Sequence, residues 1–459
     1  MQLSHVSSVR FDDPNLVGVA GLIPVMALAE RAGLSALVGE HLSLSGTGSA
    51  NPGAKVLALV AGMTAGADSI DDMDLLRHGG MGKLFQDARA PSTLGTFLRA
   101  FTFGHVRQLD AIASRFLTRL AGQAPVLAGA GQIAYVDIDD TIKETYGYAK
   151  QGAGYGYNKV KGLNALIATI STPVAAPLIV GTRLRRGPAN SARGAGKFVA
   201  DALATARTAG AGGVVILRAD SAYYSREVAA AAGRAGAHFS LTARMNPAIT
   251  AAITSIDEQA WTPIRYPNAI WDEDEARLIS DAQVAELPFT AFTSRPKAEH
   301  ITARLIVRRV KRLNPAATRA GQDELFATYR YHAVFTDSPL SMLEAEKAHR
   351  AHAIIEGVHA DLRASALAHA PSGKFTANAA WLVLAAIAFN LTRAAGALAS
   401  LFHARATTAT IRDHLIRIPA RLARSARRLT MHLPRNWAHQ DPWEALYVAA
   451  CGPPPAPAT

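Results

Sequence analysis

The chain has 459 residues, a formal net charge of +12, 49% hydrophobic residues and a lone cysteine, Cys451. That length is too great for one ordinary core and predicts roughly two to four units. One cysteine excludes an internal disulfide, and Met1 to Pro14 carries neither a basic start nor an apolar run, so a cytoplasmic protein is expected, nucleoid-associated when bound to DNA. The excess of Lys and Arg favours a polyanionic partner, nucleic acid ahead of an acidic membrane surface. No stretch reaches about 18 uninterrupted apolar residues; Trp381 to Phe389 runs into Asn390 and Arg393 and is expected as a buried helix, with no membrane partner.

In chain order, the apolar spacing of Val17 to Leu37, Ala54 to Met63 and Val106 to Leu120 predicts helices, so residues 1–125 are expected to form a helical, DNA-binding domain. Within it Pro91-Ser92-Thr93 opens a short helix with Leu94, Phe97, Leu98 and Phe101 on one face, a pattern that suits a helix-turn-helix or any three-helix bundle. The small, uncharged stretch Ala124 to Gln132 reads as a linker.

The period then changes. Ile133 to Asp139 predicts a strand, Asn158 to Ile170 and Ala175 to Arg183 a hairpin pair, and Ala195 to Thr208 a helix. A wholly apolar strand over Gly213 to Leu217 ends in Arg218-Ala219-Asp220, followed by a helix over Ser225 to Ala235 and a strand over His238 to Thr242. Residues 130–244 are thus the first part of an α/β core. Residues 245–337 read as a mostly β insertion, with strands over Ile301 to Val310 and Tyr329 to Phe335. Two long helices, Leu340 to Arg363 and Asn378 to Phe402, complete the core over 338–402. Residues 403–459 form a basic segment carrying Arg405, Arg412, Arg417, Arg421, Arg424, Arg427, Arg428 and Arg435, then a low-complexity tail.

The stretch YVDIDDT ends a core strand in like charges. Alternation puts Tyr135, Asp137 and Asp139 on one face. Carboxylates gathered there must be solvated, paired with cations or neutralised by a metal, and hard oxygen donors suit Mg²⁺ or Mn²⁺. Asp220 offers a second acid at a strand end. On the helix from Leu340, His349, His352, Glu356 and Arg363 fall within one arc, with Glu346 a rival lying within about 60° of it. Three carboxylates holding two hard ions would activate a water or a 3′-hydroxyl for in-line phosphoryl transfer on DNA.

These residues resemble a DDE transposase of a bacterial insertion sequence, nearest to the insertion sequence 1380 group. The likeness is carried by YVDIDDT with ETYGYAKQGAGYGYNKVKGLNAL, by VVILRADSAYYS, and by the stretch from AHRAHAIIEGVHADLR to NLTRAAG. It implies a ribonuclease-H-like catalytic core interrupted by a β insertion. It also selects Asp139, before Asp140-Thr141, over Asp137 as the first catalytic acid, with Asp220 and Glu356 as the other two and Asp137 as a reserve metal ligand. Where many relatives carry Tyr, Arg and Lys around the glutamate, this chain has His349, His352 and Arg363. By the same resemblance the enzyme binds terminal inverted repeats of double-stranded DNA, cuts and joins strands with Mg²⁺ or Mn²⁺, and acts as a homodimer. A nuclease without strand transfer and a catalytically silent DNA-binding protein are the alternatives.

Candidate DNA contacts are Lys159, Lys161, Arg185, Arg186, His349, His352 and Arg363. Gly152 to Tyr157 lacks the spacing of a phosphate loop. His349, His352 and His359 lack the His-Glu-x-x-His arrangement of a zinc enzyme.

Overall fold

The computed structural model describes residues 8–46, 48–86, 88–146, 150–156, 159–272, 277–312, 328–426 and 428–452. A short strand β1 (Leu16–Val17) precedes helices α1 (Leu22–Arg31), α2 (Leu34–His41), α3 (Pro52–Ala65), α4 (Met81–Leu84), α5 (Pro91–Arg99) and α6 (Phe103–Ala121). The apolar face of α5 is buried as its spacing requires, with Leu94, Phe97, Leu98 and Phe101 at 1% exposure or less.

The core strands are β2 (Ile133–Glu144), β3 (Gly154–Tyr155), β4 (Lys161–Ser171), β5 (Leu178–Arg186), β6 (Val214–Ala219) and β7 (His238–Thr242). Helix α7 (Ala195–Thr208) precedes β6, and α8 (Arg226–Arg234) lies between β6 and β7. β2 pairs antiparallel with β4 and parallel with β6, and β6 pairs parallel with β7. The apolar run of β6 follows from this central position, since a strand covered on both faces has no solvent side.

Residues 245–337 hold a helix α9 (Pro247–Thr254) and strands β8 (Thr262–Asp272), β9 (Arg277–Ala291), β10 (Ile301–Arg312) and β11 (Thr328–Thr336). α9 adds a helix to the mostly β insertion: the Asn246 side chain accepts from the Ile249 amide and Pro247 fixes the first turn, a strong start signal. The insertion is also no separate layer, because β11 pairs antiparallel with β7 through Phe335 and Leu241. One ten-stranded mixed sheet therefore runs β3-β4-β2-β6-β7-β11-β10-β9-β8, with β5 on β4.

The expected helix from Leu340 is two pieces, α10 (Met342–Arg350) and α11 (Ile354–Arg363), joined by a 3-10 turn over Ala351–Ala353. Helix α12 (Phe375–Ala399) is long and apolar enough to cross a bilayer, but 89% of its apolar window is buried inside the fold. Its polar Asn390 is consumed internally: Oδ1 accepts from the Ile179 amide and Nδ2 donates to the Ile179 carbonyl, both at 2.8 Å, pinning α12 to β5. Helices α3, α5 and α6 pack on α12, so the N-terminal helices share the core of the sheet.

Within the described residues the basic C-terminal segment is folded. After α13 (Thr408–Ile411), strands β12 (Ala420–Ser425) and β13 (Arg428–His432) form a hairpin, and β12 pairs antiparallel with β1. Helix α14 (Gln440–Cys451) packs on α1 and α12.

Candidate active site

Parallel pairing of β2 and β6 sets Asp137 opposite Arg218 and Ile138 opposite Ala219, so Asp139 and Asp220 stand side by side at the next step. Asp137 and Asp139 point to one face of the sheet with Arg218 and Asp220. The lower pair is closed. Arg218 Nε and Nη2 donate to the two oxygens of Asp137 at 2.7 Å each, and both side chains are buried. The guanidinium also lies 4.2 Å from the Tyr135 ring centre, and His352 Nδ1 is 3.0 Å from Asp137 Oδ1. Burial opposes ionisation of Asp137, but Arg218 and His352 outweigh it and hold the carboxyl below its usual range. Both oxygens of Asp137, the expected reserve ligand, already serve a buried ion pair.

The upper pair is open. Asp139 keeps 26% of its side chain exposed. Asp220 caps the 3-10 turn Ser221–Tyr223, Oδ1 accepting from the Ala222 amide at 3.0 Å. Burial first, and the neighbouring Asp139 second, push the Asp220 carboxyl above its ordinary value. The nearby His352 offsets that rise in Asp220 only in part.

The 3-10 turn over Ala351–Ala353 and helix α11 after it run along β2 and set two imidazoles against that strand. His352 meets Asp137, and His359 Nε2 stands 3.3 Å from Asp139 Oδ2. Lys143, on the same face of β2, is depressed mainly by burial and further by Arg363 and Lys150. Glu356 is exposed and sits on α11 between His352 and His359. Glu346, its rival, is buried and bound by Arg350 at 3.1 and 3.2 Å.

His359 is buried, and apart from the contact of Nε2 with Asp139 its ring nitrogens find no hydrogen-bond partner among the described residues. The His359 imidazole against Asp139, the raised Asp220 carboxyl and an exposed glutamate on the adjoining helix are a donor set that fits a hard divalent cation with a nitrogen-bearing rim. Asp139, Asp220 and Glu356 do not close into a group with all ligand atoms within 4.8 Å of one another; among the described residues that is met by His403, His414 and His439.

Two expected DNA contacts are interior. His349 is buried between Ser240 Oγ and Thr242 Oγ1, each 2.9 Å from a ring nitrogen, and burial lowers its pKa to about 3. Arg185 is buried on the opposite face of the sheet, 2.9 Å from Asp140 Oδ2 and donating to Asn164 Oδ1 at 2.9 Å. Tyr223 completes that network, its hydroxyl donating to Asp140 Oδ1 at 2.6 Å. Both residues were charged or polar positions near the motif, but their polar atoms are spent inside the protein. Lys159, Arg186 and Arg363 are exposed, and Lys161 and His352 are half-buried.

The family model for transposase DDE domain group 1 matches residues 4–449. The chain belongs to this transposase family. It is accordingly a DDE-type DNA transposase, and DNA is its partner. No curated protein matches the sequence. Among solved structures the chain is similar to the piggyBac transposase in a cryo-EM synaptic complex with hairpin DNA, at 10% identity and a TM-score of 0.40, covering 85% of this chain and 76% of that one. At that distance the likeness carries no residue role or fold detail across to this transposase.

Proposed function

We propose that this transposase, built on a ribonuclease-H-like core, cuts DNA at the ends of a bacterial insertion sequence of the 1380 group and joins them to a target by in-line phosphoryl transfer. The reading rests on one observation above all: Asp139 and Asp220 are adjacent where parallel strands β2 and β6 run side by side, the Asp220 carboxyl is pushed upward, and Glu356 lies on the helix beside them.

Asp139, Asp220 and Glu356 are the residues that would hold Mg²⁺ or Mn²⁺, two ions by the chemistry. Bound there, such ions supply Lewis-acid polarisation of a phosphodiester and a lowered pKa for the attacking water or 3′-hydroxyl. The chain's own contribution is positioning. The buried Asp137–Arg218 pair locks β2 to β6 one step below, which keeps the two open aspartates side by side. His359 bounds Asp139, and Lys143 with Arg363 extends the same face as a basic strip for DNA phosphates, joined by Lys159, Lys161 and Arg186. A homodimer holding two element ends completes the proposal.

The experiment is cleavage and joining with purified protein on duplexes carrying the element's terminal inverted repeats, with and without Mg²⁺. Asp139→Ala, Asp220→Ala and Glu356→Ala are each expected to abolish cutting while end binding stays within about tenfold. Pre-cut ends should yield joined product. Cutting retained in Asp220→Ala refutes the assignment; cutting without joining makes the protein a nuclease; binding without metal-dependent nicking makes it a silent DNA-binding protein.

A further inference from the structure

Away from the carboxylates, three imidazoles meet near the C-terminus. His403 lies in the turn after α12, His414 in a single π-turn over Arg412–Ile416, and His439 immediately before α14. One ring nitrogen from each lies within 4.8 Å of the others. His403 Nε2 is 3.1 Å from His414 Nδ1, and the His414 and His439 rings stack with centres 3.6 Å apart.

We propose that His403, His414 and His439 form a site for a first-row transition metal of the Zn²⁺ class, separate in residues and in chemistry from the carboxylate site. Imidazole nitrogen suits Zn²⁺ and its neighbours, whereas Mg²⁺ prefers oxygen. Ligands at about 2.0–2.1 Å in a tetrahedral site stand roughly 3.3 Å apart, so the 3.1 Å spacing of the first two nitrogens is already near the required edge.

The ligand atom of His403 is fixed by its surroundings. Ser400 Oγ is 2.8 Å from Nδ1, which leaves Nε2 to face the cluster, the outer-shell arrangement that orients ligating histidines. Trp437 Nε1 donates to the His414 carbonyl at 3.1 Å and steadies the second ligand's backbone.

The site brackets the β12–β13 hairpin, which lies between His414 and His439 and exposes Arg421, Arg424 and Arg428. A metal at its base would clip the two ends of that loop and hold the arginines in one arrangement, a structural role independent of phosphoryl transfer.

The test uses untagged full-length protein stripped with chelator and titrated with ZnCl₂, read by bound metal per chain and by melting temperature. One equivalent is expected, with a rise in melting temperature, retained in Asp139→Asn and Asp220→Asn and lost in His414→Gln and His439→Gln. Absence of binding by the wild type, or full binding by both histidine variants, overturns the site. Co²⁺ in place of Zn²⁺ on the wild type avoids any folding defect of the variants: an intense tetrahedral visible spectrum is expected, and a weak octahedral one contradicts the proposal.

Discussion

Arg218 grips both oxygens of Asp137 at 2.7 Å across two parallel strands, and neither side chain reaches solvent. The pair sits one step below the open carboxylates of Asp139 and Asp220, so it sets their spacing without being available for their chemistry. Removing one partner strands a buried charge. Arg218→Met should cost about 3–5 kcal/mol in denaturant unfolding, while the double variant Asp137→Leu/Arg218→Met should recover much of that loss. Equal losses in single and double variants would show that the pair is not coupled.

The open pair behaves in the opposite way. Because Asp139 helps push the Asp220 carboxyl upward, Asp139→Asn should relieve repulsion and raise the melting temperature in chelator by about 1 °C or more while abolishing cleavage. A lowered melting temperature would mean that the two acids do not oppose each other in the metal-free protein.

Acid sensitivity follows from His349. Its folded-state pKa is about 3 against 6.5 for the free side chain, so between those values the unfolded chain binds a proton that the folded protein does not. This contribution to stability is complete above pH 6.5 and is lost as pH falls toward 3. Urea midpoints measured from pH 7.5 to 5 should decline, and His349→Gln should flatten the decline. A variant slope as steep as the wild type's would place the sensitivity elsewhere.

Adjacent arginines should separate into different phenotypes. Arg186 is exposed, so Arg186→Ala should weaken DNA binding uniformly and reduce the salt slope by about one. Arg185 is paired with Asp140 inside the sheet, so Arg185→Ala should lower stability and leave the salt slope unchanged. Identical salt slopes in both variants would remove Arg186 from the DNA surface.

Much of this arrangement is legible in the sequence, and the failures have a common cause. The strands β2 and β6 announce themselves as apolar runs ending in acid, which makes Asp137, Asp139 and Asp220 candidates from that alone. Which of Asp137 and Asp139 is open cannot be read there, since alternation puts both on one face and the deciding partner, Arg218, lies on a strand far along the chain. His349 fails for the same reason: helical spacing aligns it with His352 and Glu356, but says nothing of Ser240 and Thr242 on β7 that absorb it. β9 escaped notice because Asp281, Glu286 and Pro288 interrupt its apolar pattern. The arginines of β12 read as a tail, although the alternation of buried Ala420 and Leu422 with exposed Arg421 is a strand signal. His403, His414 and His439 share no local motif, and only folding brings them together.

The most direct test of the central claim is anomalous diffraction from crystals of the full chain soaked in Mn²⁺. A peak within coordination distance of both Asp139 and Asp220, absent in Asp220→Asn crystals, is the predicted result. Ordered aspartates with no peak between them, or a peak bound by Asp137 instead, would contradict it.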